Sequence, residues 1–270
     1  MGNVKAWLAA GLFAALGAQA GAQQPALCGP YRVALYEYGS LAFKNTGPVG
    51  VSPIGIDVDI VEEVGRRSGC RLLPFVDSRV RTWTDLARDS LDMTVSAIQT
   101  PERDGFARFV IYMSGRNRLL VRKDLAGAVV TLQDFTERSR LRLAVVKGFK
   151  HGPQWDAWID TLRQQGRVDE YADASTAARL VAIGRDAAFL SEPVVWGRIL
   201  ADSQLVGKVT IIDAFPDDNY AAGFAISRTR VREEDVRRMQ DAIAAMRADG
   251  TLLKIFGTYL SRAEALSTLP

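Results

Sequence analysis

From Tyr31 onward, short runs of apolar and β-branched residues alternate with segments whose apolar positions recur every three to four residues. That alternation restricts the chain to α/β architecture with largely parallel sheets. The first series predicts a strand over 31–36, then a long loop, and a helix over 56–68 whose Ile56, Ile60, Val61 and Val64 share one face. Gly69 ends that helix. A strand over 71–75, a short helix over 83–88 capped by Thr82, and a strand over 92–96 follow. Thr100-Pro101-Glu102-Arg103 reads as a helix start, with Thr100 as N-cap and Pro101 in the first helical position. Strands over 109–112 and 119–122 close the series.

A second series begins near Thr131. It predicts helices over 132–135, 154–165, 175–183 and 193–201, interleaved with strands over 141–146, 168–171, 187–190 and 209–212. A run over 221–227 and helices over 231–247 and 252–259 come last. The chain of 270 residues is long enough for one large or two modest domains at about 150 residues each.

Residues 1–22 read as a separate object. Lys5 supplies a positive charge, 7–17 form a short apolar run, and Ala18-Gln19-Ala20 and Ala20-Gly21-Ala22 are small-x-small cleavage motifs. A cleavable secretory signal is expected, the alternative being an uncleaved anchor. The apolar run falls short of the roughly 20 residues that span a bilayer, so no membrane insertion is expected after cleavage, and the periplasm is the expected location.

Cys28 and Cys70 are the two cysteines of a chain bound for an oxidising compartment. Each precedes one of the first two strands. In a βαβ unit those strands are usually parallel neighbours, which brings both cysteines to one sheet edge and predicts a bridge. The alternative is a pair of buried free thiols.

Several functions are excluded at this level. Lys and Arg number 34 against 31 acidic residues, with no basic stripe, so no nucleic acid partner is expected. Gly-x-Ser-x-Gly, the phosphate loop, Gly-x-Gly-x-x-Gly and His-Glu-x-x-His are all missing. A single histidine, His151, and two separated cysteines do not make a zinc cage, so neither metal nor cofactor is expected. Without a nucleophile and its base, a binding protein is the stronger class and an enzyme is not expected.

What remains is polar residues beside helix starts and strand ends, where α/β sheets place ligand sites. Ile54-Gly55-Ile56-Asp57-Val58-Asp59-Ile60-Val61, then Asp92 with Thr100-Pro101-Glu102-Arg103, Phe109 and Tyr112, then Gly184-Arg185-Asp186-Ala187-Ala188-Phe189, follow one another in order. In this the chain resembles family 3 of the bacterial extracellular solute-binding proteins, the polar amino-acid type. The resemblance implies a two-lobe periplasmic binding protein-like fold, each lobe a mainly parallel sheet flanked by helices, joined by a two-strand hinge. Lobe 1 would take residues 23–123 and 220–270, and lobe 2 residues 124–219. It also implies that Arg103 holds a ligand carboxylate through its planar fork, beside the donors of a helix start. Ser96 and Thr100 match positions that contact the same carboxylate, although Thr100 also serves as a cap.

The chain departs from the family where the ligand's ammonium would be held: Ser191 stands in place of the family's aspartate, with Glu192 adjacent as a substitute or as a first-turn acid. A serine hydroxyl cannot neutralise a buried ammonium. Gly148-Phe149-Lys150 also stands where the family has a glycine followed by threonine or serine. Tyr36, Tyr38, Phe43, Trp83 and Tyr112 are candidate aromatic walls, and Lys150 a candidate cation from lobe 2. Trp155, Trp158 and Trp196 are spaced as core residues. The expected function is a monomeric solute-binding protein that captures a small carboxylate-bearing ligand for the membrane permease of an ABC importer. A ligand-sensing module for a membrane receptor, or a dehydratase or lyase on the same scaffold, are the alternatives.

Overall fold

The computed structural model describes residues 28–47 and 50–270, so the expected signal over 1–22 lies outside the described residues. The first series folds as β1 (Cys28–Leu35), a hairpin of β2 (Phe43–Gly47) and β3 (Gly50–Ile54), α1 (Ile56–Ser68), β4 (Cys70–Val76), α2 (Arg79–Ala87), β5 (Met93–Ile98), α3 (Pro101–Asp104) and β6 (Ala107–Gly115). The second folds as β7 (Arg118–Arg122), α4 (Leu132–Glu137), β8 (Leu143–Val146), α5 (Pro153–Gln164), β9 (Val168–Tyr171), α6 (Ala174–Ala182), β10 (Ala188–Ser191), α7 (Pro193–Asp202) and β11 (Val209–Ile212). β12 (Tyr220–Ser227), α8 (Glu233–Ala248), α9 (Thr251–Tyr259) and α10 (Arg262–Thr268) return to the first lobe.

The first sheet has the order β4-β1-β5-β12-β6 and the second β11-β7-β10-β8-β9. In each, four strands share one direction and one is reversed: β12 in the first sheet, β7 in the second. Both reversed strands are the ones that have just crossed from the other lobe. β6 passes to β7 through Arg116 and Asn117, and β11 passes to β12 through residues 213–219. The result is the expected α/β fold of two mainly parallel sheets flanked by helices.

Four details differ from the sequence reading. The pattern puts the lobe boundary after Lys123, whereas β7 pairs with β10 and β11 in the second sheet, so the chain crosses at Arg116 and Asn117. An alternating run looks the same on either side of a crossing. α2 begins at Arg79, not Trp83, because Ser78 is the N-cap and accepts from the Arg81 amide at 3.3 Å. Thr82 instead donates back to the Ser78 carbonyl at 3.0 Å. The β2–β3 hairpin occupies the expected long loop, and α10 forms on a Ser261–Glu264 capping box.

α1 starts where it does because the 38–42 turn caps it. Leu41 O accepts from the Asp57 amide at 2.9 Å, and Ser40 O from the Ile56 amide at 3.1 Å. Gly55 sits at φ 136°, and a Cβ there would lie 2.5 Å from Leu41 O, so no side chain fits at that closure. Cys28 and Cys70 are opposite each other in the β1–β4 register, with Cα atoms 4.4 Å apart, and are joined as a disulfide. Among the described residues no helix is long and apolar enough to cross a membrane.

Candidate functional site

The end of β5 and the short α3 aim Arg103 into the space between the lobes. Thr100 caps α3, its Oγ1 accepting from the Arg103 amide at 3.3 Å. Arg103 is 5% exposed, and its guanidinium lies 3.6 Å above the Trp83 ring. It donates to Ile98 O at 2.8 Å and, across the lobes, to Gly148 O at 3.3 Å. Burial and the neighbouring Arg79 lower its pKa to about 9, which leaves it cationic at neutral pH.

Arg79, the first residue of α2, is a second buried cation, 4.0 Å above the Tyr36 ring. It donates to Ser96 O at 3.3 Å and Val95 O at 3.5 Å, while its Nε has no partner. Burial pushes its pKa down. Among the described residues, both guanidinium groups bond to carbonyl oxygens and neither pairs with a carboxylate.

Beneath them a hydroxyl network fixes the floor. Asp57, fully buried on α1, accepts from Ser96 Oγ at 2.8 Å and Tyr112 Oη at 2.7 Å. Burial raises its pKa to about 6 against the pull of those two donors. Ser96 holds a left-handed φ of 44°, and its amide donates to Tyr112 Oη at 2.7 Å, which locks the strand end under Arg79.

Lobe 2 supplies the facing wall. The loop after β8 brings Phe149 edge-on to Tyr36 and Tyr38, with ring centroids 5.6 and 5.1 Å away. At the end of β10, Ser191 and Glu192 are both buried, and Ser191 Oγ, Glu192 Oε2 and Tyr220 Oη have no hydrogen-bond partner. Burial, with Asp57 adding to it, pushes the Glu192 pKa up to about 8. The enclosed cavity is about 20 Å³, lined by Tyr36, Tyr38, Arg79, Ser96, Arg103, Phe149, Glu192 and Tyr220 among others. Wider openings flank it, one of about 580 Å³ beside Thr100 and Lys150 and one of about 340 Å³ beside Tyr36 and Asp173.

Arg103, Ser96, Tyr36, Tyr38 and Glu192 are thus brought together around the cavity, and Lys150 lines it as well. Trp83 lies behind Arg103 as a stacking surface, Thr100 caps α3 at the rim of the wider opening, and Ser191 is buried beside Glu192 without lining the cavity. Tyr112 belongs to the floor. Phe43 packs against Tyr259 and under Arg198, away from the cavity. Trp155 and Trp158 lie in the lobe 2 core. Sequence reasoning missed Arg79, Phe149 and Tyr220. For Arg79 the expected helix start at Trp83 hid the relation: only with α2 beginning at Arg79 do Arg79 and Trp83, four residues apart, share one helix face. Cys28, Cys70 and Asp235 cluster within 4.8 Å, but both sulfurs are consumed by the disulfide.

A family model described as bacterial extracellular solute-binding proteins, family 3, matches residues 37–262. The comparison with curated proteins finds no match. Among solved structures, the chain is similar to an amino acid ABC transporter substrate-binding protein from Streptococcus pneumoniae bound to L-arginine, at 15% identity and TM-score 0.71, covering 88% of this chain and 96% of that one. It is similar to a histidine kinase sensor domain with similarity to periplasmic binding proteins, at 14% identity and TM-score 0.71, covering 87% and 97%. The chain is also similar to an ancestral amino acid-binding protein, a precursor of cyclohexadienyl dehydratase, at 19% identity and TM-score 0.67, covering 86% of this chain and 95% of that one. At such identities these structures share the fold.

Proposed function

The chain belongs to the bacterial extracellular solute-binding proteins, family 3, and from that membership we propose that it captures a small carboxylate between its lobes and delivers it to the permease of an ABC importer. The observation that carries this reading is the pair of buried guanidinium groups, Arg79 and Arg103, on one wall of the interlobe cavity without a carboxylate partner. Buried cations are normally paired; Asp57 acts on Arg79 only through space, and an arriving anion supplies a direct partner. Arg103 offers two coplanar donors to a carboxylate, which would replace the carbonyl oxygens it now meets.

Two features favour an acid without an α-ammonium. Ser191 offers a hydroxyl and no charge, and burial keeps Glu192 protonated at neutral pH. Calorimetric titration and thermal shift with a panel of small carboxylates test the reading. The expected result is a rise in melting temperature with at least one acid, and a loss of roughly 30-fold to several-thousand-fold in its affinity in Arg103→Met. If no small acid raises the melting temperature, the reading is wrong.

A second reading is supported by Glu192, a carboxyl raised into the neutral range inside a closed cleft, as in a proton-transfer enzyme such as a dehydratase or lyase. Turnover of a cyclic acid that disappears in Glu192→Gln would favour it over binding alone.

A further inference from the structure

The residues that seal the cavity say what chemistry it accepts. Gly148 and Phe149 are consecutive residues of one lobe 2 loop, and they dock on lobe 1 in two places at once. The Gly148 carbonyl, turned by a left-handed φ of 81°, accepts from Arg103 at 3.3 Å. The Phe149 ring stands at 80° to both Tyr36 and Tyr38 and lies 5.5 Å from the Arg79 guanidinium. While this loop is seated the cavity, at about 20 Å³, has room for about one water, so a ligand that meets both Arg103 and the tyrosine pair enters with the loop lifted. Lifting it uncovers a cation and a tyrosine face at the spacing that a carbonyl oxygen and the next side chain's phenyl ring span.

We propose that the ligand is a small aromatic carboxylate, whose ring takes the place of Phe149 against Tyr36 and Tyr38 and whose carboxylate takes the place of the Gly148 carbonyl on Arg103. This rests on the carboxylate-binding reading above. The edge-to-face contacts with the two tyrosines, and the contact of Arg79 with a ring face, exist only for an aromatic ligand. An aliphatic chain fills the same space without them. A zwitterionic amino acid brings an ammonium to a site walled by two guanidinium groups, with Ser191 where the family's aspartate would receive that charge and the buried carboxyl of Glu192 beside it having to ionise to do so.

The test is isothermal titration of the purified protein with benzoate, phenylacetate and 3-phenylpropionate, each beside its cyclohexyl analogue, and with L-phenylalanine. The expected result is that the tightest aromatic acid exceeds its cyclohexyl analogue and L-phenylalanine by about tenfold or more. Phe149→Ala, which removes the competing ring, is expected to tighten that acid severalfold. Equal or tighter binding of the cyclohexyl acids or of L-phenylalanine overturns the inference, as does the absence of binding by every aromatic acid at ~10 mM, or weaker binding in Phe149→Ala. Should that variant not fold, the native ligand series decides alone. Binding of aliphatic acids that Arg103→Met abolishes would leave the carboxylate reading standing while the aromatic one falls. If no carboxylate of either kind binds, both fall together.

Discussion

Glu192 couples the cleft to pH. Its carboxyl titrates near 8 in the folded chain against 4.5 for the free side chain, because burial disfavours the charged form and Asp57 adds to the effect. Between those values the folded state holds a proton that the unfolded state has released, so stability falls as pH rises through the window and levels off above about 8. Asp57, raised from 3.8 to about 6, acts in the same direction over the lower part of the range. Glu192→Gln should therefore melt higher than the native chain near pH 8 and like it near pH 4.5. Melting curves across that range check this, and an unchanged slope in the variant would assign the titration elsewhere. At this scale the sequence made Arg103 and Glu192 legible, because each sits at a strand end or helix start of recognisable spacing. Arg79 was hidden. Its neighbours Ser78, Val80 and Arg81 are those of a solvated first turn, and its burial arises when Tyr36, the end of β5 and Phe149 converge on it from distant parts of the chain.

Among elements, the clearest device is a single side chain that closes the end of a helix in lobe 2. Arg167, 4% exposed, precedes β9 and donates to Phe135 O and Thr136 O at 2.7 Å and to Arg138 O and Leu141 O at 2.9 Å. Those carbonyls belong to the last turn of α4 and its exit toward β8, groups that a helix end leaves without intrahelical partners. Arg167→Ala strands several of them in a buried place, and a loss of about 2–4 kcal/mol is expected by chemical denaturation. Arg167→Lys keeps the charge but lacks the planar fork, so it should recover less than half of the loss. Near-native stability in the alanine variant would mean that water satisfies these carbonyls equally well. The helices and central strands were readable because their apolar periodicity is set by a core they face along their whole length. The β2–β3 hairpin was not: Lys44 and Asn45 are exposed and carry no alternation, so the pattern there is that of a loop. Nor was the sheet to which β7 belongs, since membership depends on a crossing that leaves no mark in composition.

For the whole molecule, closure depends on how nearly the two lobes can touch, and at Gly39 they leave no room for a side chain. This glycine lies in the 38–42 turn of lobe 1, whose Leu41 shares one continuous buried cluster with Val195 of α7 in lobe 2. Gly39 adopts φ 53°, and a Cβ built there would lie 2.5 Å from Val195 Cβ and 2.9 Å from its Cα and carbonyl oxygen. Backbone atoms of a helix cannot retreat by rotamer change, so an alanine at this position must push the lobes apart. The left-handed backbone adds a local cost of about 1 kcal/mol, which lowers stability without blocking closure. Gly39→Ala is therefore expected to bind its carboxylate at least about tenfold more weakly than the native chain, and to show a larger radius of gyration by small-angle scattering at saturating ligand. Gly197→Ala, also on α7, is the matched control: a Cβ there meets nothing within 4 Å, so affinity and radius should stay native. A Gly39→Ala protein that closes and binds as the native chain does would show that the turn yields before the lobes do.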